Sequence, residues 1–348
     1  FKKVSNNKLS PIVYTIFSCF LISYPLITEI FACTPASLNV CLLYSLTAFV
    51  LILFNEYLSN KKQIFLISSA LILCLVISMY ESFAAVFLVG LFMILILKVL
   101  YTEKKYTFKE MFLFSLNFIF LLCIALSLNT IIIKVIRSAL DITATGFASK
   151  VMSYEYFGIV GGLKYLVETT IVKFIAKAFC YVPITFLLIS SILSFIMSII
   201  FSIKRKNFLI FILFTGLIIA THSLSIIQGM APLYRSCQTF AIFVGFIFML
   251  LAQSISTMKC KSFIKAFLIF IIFLGIFYQV KDLHKWFYVN YMRYEEEKNA
   301  SLLICSEISK KYGNELPIII IGQMKLSNNI NKYLYLSSDE WHAKYYSF

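Results

Sequence analysis

Long apolar stretches dominate the sequence and limit what the chain can fold into. About nine of them are separated by short polar or basic segments, and most approach the roughly 20 residues that an α-helix needs to cross a bilayer. They cover residues 11–33, 36–55, 64–79, 83–100, 112–133, 181–203, 208–226, 236–254 and 263–280. The third is short, so it would lie in a locally thin bilayer or run directly into the fourth. We therefore predict an all-α polytopic membrane protein with about nine transmembrane helices.

The composition excludes a water-soluble globular protein. Of 348 residues, 61% are hydrophobic and only 14% are charged, whereas a soluble domain is nearer half apolar and about a quarter charged. The formal net charge of +15 would otherwise suggest a nucleic-acid partner. In a membrane protein, lysine and arginine first report topology. We therefore predict that membrane lipid is a partner and nucleic acid is not.

The basic residues alternate along the chain. The N-terminal segment and every second connection between apolar stretches carry them: Lys2, Lys3 and Lys8; Lys61 and Lys62; Lys104, Lys105 and Lys109; Lys204, Arg205 and Lys206; Lys259 and Lys261. The short connections in between hold a single basic residue, Arg235. Because lysine and arginine are retained on the cytoplasmic side, this pattern predicts a cytoplasmic N-terminus and an external C-terminus.

Two predicted outer regions are long. Residues 134–180 place apolar residues at spacings of three and four, which predicts amphipathic helices lying in the outer interface. Residues 281–348 begin with an aromatic belt and a helix to about Lys311, followed by a short β-type run at 317–321 that ends at Gly322. The predicted organisation is a membrane domain over 1–280, with the periplasmic loop 134–180, and a small α/β unit over 281–348. Because the chain opens on Phe1 without a signal-peptide core, we expect a fragment or a processed product, with a truncated tail.

Ionisable groups at the ends of spans are the first functional candidates, because burying them in a membrane is costly. Glu29 lies about one turn from the outer end of the first span, Glu81 lies at the outer turn between the third and fourth, and Arg235 lies at the outer end of the eighth. Carboxylates on that side can do acid–base chemistry, and a cation can bind an anionic ligand. The sequence thus predicts an outward-facing site at the membrane surface, with Glu81 and Glu29 as its candidate catalytic carboxylates.

Each of these residues also has a purely structural interpretation. Glu29 could pair with a neighbouring helix, Glu81 could be the polar residue that a tight turn requires, and Arg235 could anchor a lipid headgroup. Arginine is the preferred fork for phosphate oxygens, and Arg235 is alone in the short outer loops, which favours phosphate binding.

Further polar residues flank these three. Lys134 and Arg137, about one turn apart where a helix leaves the bilayer, are candidate phosphate ligands and equally candidate headgroup anchors. Tyr80 beside Glu81, and Gln228 and Tyr234 in the loop before Arg235, are candidate substrate-binding residues. The cysteines and histidines are scattered, with no spacing typical of a metal site, a redox pair or a catalytic triad. No cofactor is therefore predicted, and a need for a divalent metal stays open.

Four segments together carry a resemblance to a known family. They are Tyr24-Pro25 with Glu29, residues 79–83, residues 231–235, and residues 317–322. They resemble the glucosyltransferase GtrII family, bacterial inner-membrane proteins that modify O-antigen by moving glucose from a polyprenyl-phosphate carrier. The resemblance spans most of the chain, although each motif is short.

The resemblance implies a GT-C type architecture with its active site facing the periplasm, a polyprenyl-phosphate sugar as donor, and lipopolysaccharide or O-antigen as acceptor. Arg235 would contact the donor phosphate, and Tyr80 and Glu81 would line the sugar or acceptor pocket. Enzymes of this type generally carry a key carboxylate in the first outer loop, but here that loop, Thr34-Pro35, has none. We therefore expect the main carboxylate upstream of this chain, with Glu29 and Glu81 as substitutes.

Two other functions stay open at this point. An O-antigen polymerase or ligase shares many spans and arginines that hold lipid pyrophosphate. A lipid-linked-sugar flippase or transporter would tend to show inverted repeats and helices broken by glycine or proline at mid-membrane. With only 11 Gly and 6 Pro, the sequence favours the transferase. A purely structural membrane protein would leave Arg235 and Glu81 unexplained.

Overall fold

The computed structural model describes residues 1–25, 34–104, 106–141, 153–172, 182–229 and 236–312, and these residues form helices and no strand. The α-helices are α1 Pro11–Ser23, α2 Thr34–Asn60, α3 Gln63–Met79, α4 Phe83–Tyr101, α5 Phe108–Ala139, α6 Ser153–Leu166, α7 Val182–Arg205, α8 Leu209–Thr221, α9 Ser223–Gln228, α10 Gln238–Thr257 and α11 Ser262–Tyr312. A short π-helix, Val167–Val172, follows α6.

Six helices in the described part of the chain are long and apolar enough to cross a membrane: α2, α4, α5, α7, α10 and α11. The helical character predicted from the sequence is therefore confirmed for the described residues, and these six helices are compatible with a polytopic membrane protein. The number nine is not confirmed, because α1, α3 and α8 are apolar but have only 13, 17 and 13 residues. The predicted seventh span, 208–226, consists of two helices that meet at His222.

Two helices, α4 and α10, form the centre of the bundle. Most residues of both are buried. Helix α10 packs on α1, α4, α7 and α11, and α4 packs on α2, α8 and α10. Aromatic rings fill the contacts, as where Phe20 of α1 stacks on Phe248 of α10 with ring centroids 4.3 Å apart. In lipid this close packing, rather than removal of apolar surface from water, holds helices together.

One end of the bundle gathers basic segments that are distant in sequence. Lys3 forms an ion pair with Glu56 at 2.6 Å, and Lys8 contacts Glu103 at 3.4 Å. The Arg205 guanidinium donates to the Leu100 carbonyl at 2.7 Å. We call this end, which carries residues 1–10, 102–104 and 204–207, the basic end. The side of a membrane that it faces stays a prediction.

The connection into α5 at the basic end is built from a capping box. The Thr107 hydroxyl accepts a hydrogen bond from the Glu110 backbone N–H at 3.3 Å, and the Glu110 carboxylate accepts one from the Thr107 N–H at 2.9 Å. These two bonds satisfy backbone donors that a helix start leaves unpaired. Glu110 also pairs with Lys104 at 2.8 Å.

The two long predicted outer regions are described only in part. Within 134–180, α6 and the π-helix lie in the predicted amphipathic region, and Gly158 interrupts α6 with a left-handed φ of 64°. In the C-terminal region α11 runs unbroken through residue 280, where we place the domain boundary, to Tyr312. The predicted β-type run at 317–321 lies outside the described residues, so the α/β unit over 281–348 stays a prediction.

Candidate functional site

The end of the bundle opposite the basic end carries a layer of buried polar side chains. Helices α1 and α10 are antiparallel, and the Ser10 backbone N–H donates to the Gln253 side-chain oxygen at the basic end. From there to Ser23 is 13 residues of α1, about 20 Å, and to Gln238 is 15 residues of α10, about 22 Å. Ser23 and Gln238 therefore lie at similar depth, and we call their level the polar end.

Gln238 joins three elements at the polar end. Its side-chain oxygen accepts a hydrogen bond from the Ser82 hydroxyl at 2.8 Å, and its backbone carbonyl accepts one from the Tyr44 hydroxyl at 3.1 Å. Ser82 belongs to the tight turn between α3 and α4, and Tyr44 to α2. The neighbouring Thr239 hydroxyl donates to the Thr221 carbonyl at the end of α8 at 2.8 Å. One turn of α10 thus fixes α2, α4 and α8 relative to one another.

A second set of contacts joins α1 to α7 and α11. The Tyr24 hydroxyl donates to the Pro183 carbonyl at 2.8 Å, in the first turn of α7. The Ser23 hydroxyl donates to the side-chain oxygen of Gln279 on α11 at 2.9 Å. Gln279 is fully buried, and its amide nitrogen has no hydrogen-bond partner in the part of the chain that the structure describes.

Asp282 is the carboxylate of this second set. It lies three residues after Gln279, on the same face of α11, and only 5% of its surface is exposed. Its Oδ2 has no hydrogen-bond partner among the described residues. A buried carboxylate oxygen and a buried amide nitrogen, both unbonded and one helical turn apart, offer an acceptor and a donor to a polar ligand. Such groups are costly to bury and need an explanation.

An apolar groove leads from the polar end toward the basic end. It has a volume of about 500 Å³ and lies between α1, α2, α4 and α10. Tyr44 lines it near the polar end, Leu51 and Met93 line its middle, and Lys2 and Lys3 line it near the basic end. A groove of this composition suits a hydrocarbon chain better than a polar solute.

The described residues include five of the sequence-predicted site residues. Glu81 is exposed and Tyr80 is half-buried in the turn before α4, where the Tyr80 ring packs edge-on against Phe83. Gln228 ends α9, where Gly229 adopts a left-handed φ of 68°. Lys134 and Arg137 are exposed in the last turns of α5. Of these residues, Tyr80 and Glu81 directly precede Ser82, which belongs to the polar layer.

Three predicted site residues lie outside the described part of the chain. They are Glu29, Tyr234 and Arg235. Their assignments as catalytic carboxylate, substrate ligand and phosphate ligand therefore stay predictions.

Sequence reasoning missed Asp282, Gln279 and Gln238. One signal was available for the first two: Gln279, Asp282 and Trp286 follow one another at spacings of three and four, which puts them on one helical face. All three are buried. Asp282 lies just beyond the predicted ninth span, so the sequence predicted it in the outer region rather than in the bundle.

Among the described residues, no group of three or more histidine, cysteine or acidic side chains could hold a metal ion. Within the same ranges the seven cysteines are free thiols; four of them are buried or half-buried, and of these Cys19 and Cys74 lie in helices. The candidate site is therefore built from a carboxylate, amides and hydroxyls.

Fold and site together define a helical protein with membrane-capable helices and a polar layer at one end of its bundle. Comparison of the chain with models of protein families, with curated proteins and with solved structures finds no match.

Proposed function

We propose that the chain is a membrane glycosyltransferase that moves a hexose, with glucose as the first candidate, from a polyprenyl-phosphate donor to a surface polysaccharide acceptor such as O-antigen. The observation that carries the proposal is the buried, unbonded Asp282 oxygen in the polar layer. The resemblance to the glucosyltransferase GtrII family, with its periplasm-facing site in the bacterial inner membrane, supplies the reaction class.

The chemistry assigns Asp282 the part of general base. The acceptor hydroxyl attacks the anomeric carbon of the sugar and gives its proton to Asp282 Oδ2. A new bond forms between the acceptor oxygen and the anomeric carbon, and the bond from that carbon to the phosphate oxygen breaks. Polyprenyl phosphate leaves with the bonding electrons, and a nearby cation stabilises its charge. Arg235 is the proposed cation, with Lys134 and Arg137 as further candidates.

Two features support a lipid-linked donor. The polar layer lies at the end of the bundle, which suits a phosphate at headgroup depth. The apolar groove reaches Tyr44 in that layer, and a polyprenyl chain there would remain in a hydrocarbon environment while its phosphate approached the site. Gln279 would hold a hydroxyl of the sugar or of the acceptor.

The test is transfer of labelled glucose from polyprenyl-phosphate glucose to lipopolysaccharide, in membranes that contain the full-length protein. We expect Asp282→Asn and Arg235→Ala to abolish transfer and Glu81→Gln to reduce it. Glu307→Gln, an exposed carboxylate on the same helix, is the control and should retain full transfer. Undiminished transfer by Asp282→Asn would overturn the assignment of the base, and a product of elongated chains or of chains joined to lipid A core would indicate a polymerase or ligase.

A further inference from the structure

A second site-like feature lies at the basic end, away from the proposed catalytic layer. It is a cleft of about 1010 Å³ between the α4–α5 connection and the α7–α8 connection. Five cationic side chains line it: Lys8, Lys104, Lys204, Arg205 and Lys206. One carboxylate, Glu103, also lines it, so the lining side chains among the described residues carry a net charge of 5 − 1, which is +4.

Three of the five cations are engaged within the protein. Lys8 contacts Glu103 at 3.4 Å, and Arg205 donates to the Leu100 carbonyl at 2.7 Å. Lys104 pairs with Glu110, and this hydrogen bond raises the pKa of Lys104 above its usual value. Each of these contacts positions a charge at the wall of the cleft.

Lys204 and Lys206 differ from the other three. Both are exposed and form no ion pair with any described residue. Lys206 adopts a left-handed backbone, with φ of 50°, where α7 ends. The two ammonium groups are therefore available to an anion in the cleft.

The cleft has apolar residues as well as charged ones. Phe108, at the start of α5, and Phe208, immediately before α8, line it and are more than half exposed. Ile212 lines it one turn further into α8. Cations beside exposed apolar side chains at a helix-bundle end match a lipid, whose phosphate meets the charges and whose chains meet the apolar surface. A free anion would gain nothing from the two phenylalanines.

We propose that this cleft is a specific binding site for the headgroup of an anionic phospholipid in the leaflet at the basic end. Lys204 and Lys206 contact the phosphate, and the acyl chains lie over Phe108, Phe208 and Ile212. The site does not depend on the proposed transferase activity, because it lies at the opposite end of α4, a helix of 19 residues or about 28 Å.

The experiment measures phosphatidylglycerol binding to the detergent-purified protein by native mass spectrometry, with phosphatidylcholine as the neutral comparison. We expect phosphatidylglycerol to be retained selectively, and Lys204→Gln/Lys206→Gln to weaken its binding by at least about tenfold. The matched control is Lys61→Gln/Lys62→Gln. This control also removes two exposed lysines, and the backbone of Lys61, like that of Lys206, is left-handed, with φ of 55°. Both lysines lie in a predicted basic connection outside the cleft. The control should therefore change phosphatidylglycerol binding less than twofold.

Two results would overturn the proposal. Equal weakening by both double variants would mean diffuse attraction between the lipid and the whole basic end. Displacement of phosphatidylglycerol by inorganic phosphate at the same concentration would mean a free-anion site in which the phenylalanines play no part.

Discussion

Ser23 and Gln279, 256 residues apart, are joined by a buried hydrogen bond of 2.9 Å that ties the end of α1 to the middle of α11. The bond occupies the Gln279 side-chain oxygen and leaves its amide nitrogen unbonded. Helix α11 packs on the rest of the bundle through α1, α7 and α10. This pair therefore positions the face of α11 that carries Asp282.

Removing one partner of this pair should lower the free energy of unfolding more than removing both partners. Ser23→Ala leaves a buried amide oxygen unsatisfied, and we expect it to lower the free energy of unfolding by about 1–3 kcal/mol. Ser23→Ala/Gln279→Leu removes both polar groups and should recover most of that loss. Reversible unfolding in mixed micelles measures both variants. Ser301→Ala, an exposed serine bonded only within its own helix, is the control, and the interpretation fails if the double variant is less stable than Ser23→Ala.

Asp282 should show opposite effects on stability and on activity. A buried carboxylate with an unbonded oxygen destabilises the fold, so Asp282→Asn should raise the unfolding midpoint in detergent. The same change removes the proposed base and should lower glucosyl transfer by about 100-fold or more. A loss of stability in Asp282→Asn, accompanied by unchanged transfer, would assign Asp282 a structural role. Glu307→Gln should change neither quantity.

Hydropathy alone predicted the helices of the bundle, because an apolar stretch of some 20 residues has few alternatives to a membrane-capable helix. It could not predict where such a stretch bends. Residues 208–226 were predicted as one span, yet the chain divides at His222, within the polar run 221–223, where the Thr239 hydroxyl from α10 bonds to the adjacent Thr221 carbonyl. Hydropathy averaged over the span hides this short polar run, and the α10 partner of Thr221 is not visible in the local sequence.

The candidate site was harder to predict than the fold, for a related reason. Charged residues that interrupt apolar stretches are the candidates that a sequence offers, and Glu81 was predicted on this ground. In the structure the Glu81 carboxylate is exposed. Asp282 lies in a more polar part of α11, and its burial depends on which face of α11 meets α1. That face is set by Ser23 and Gln279, a contact between residues 256 positions apart in sequence.

Two glycines allow a test of helix packing. At Gly216 of α8, an added Cβ would overlap the Phe92 ring of α4, whereas at Gly275 of α11 it would meet the Phe186 ring at an ordinary 3.4 Å. We expect Gly216→Ala to destabilise the fold by about 1–3 kcal/mol through overpacking. Gly275→Ala should be neutral or stabilise by up to about 1 kcal/mol, because alanine favours the helix.

A second substitution identifies the cause at Gly216. Phe92→Leu removes the ring that the new Cβ meets. Gly216→Ala should therefore destabilise the Phe92→Leu protein much less than it destabilises the original protein. Unfolding of the four variants in mixed micelles gives the coupling energy. Additive effects of the two substitutions would contradict the predicted contact between α4 and α8.

The orientation of the bundle gives the last prediction. Basic residues collect at one end of the bundle, and the rule that lysine and arginine are retained in the cytoplasm places that end inside. Alkaline phosphatase requires disulfides that form outside the cytoplasm, so a fusion after Asn207 at the basic end should be inactive. A fusion after Lys311, in the last turn of α11, should be active. β-Galactosidase fused at the same two points should give the reverse pattern. Phosphatase activity after Asn207 would place the polar layer in the cytoplasm and would remove the basis for a periplasmic transferase.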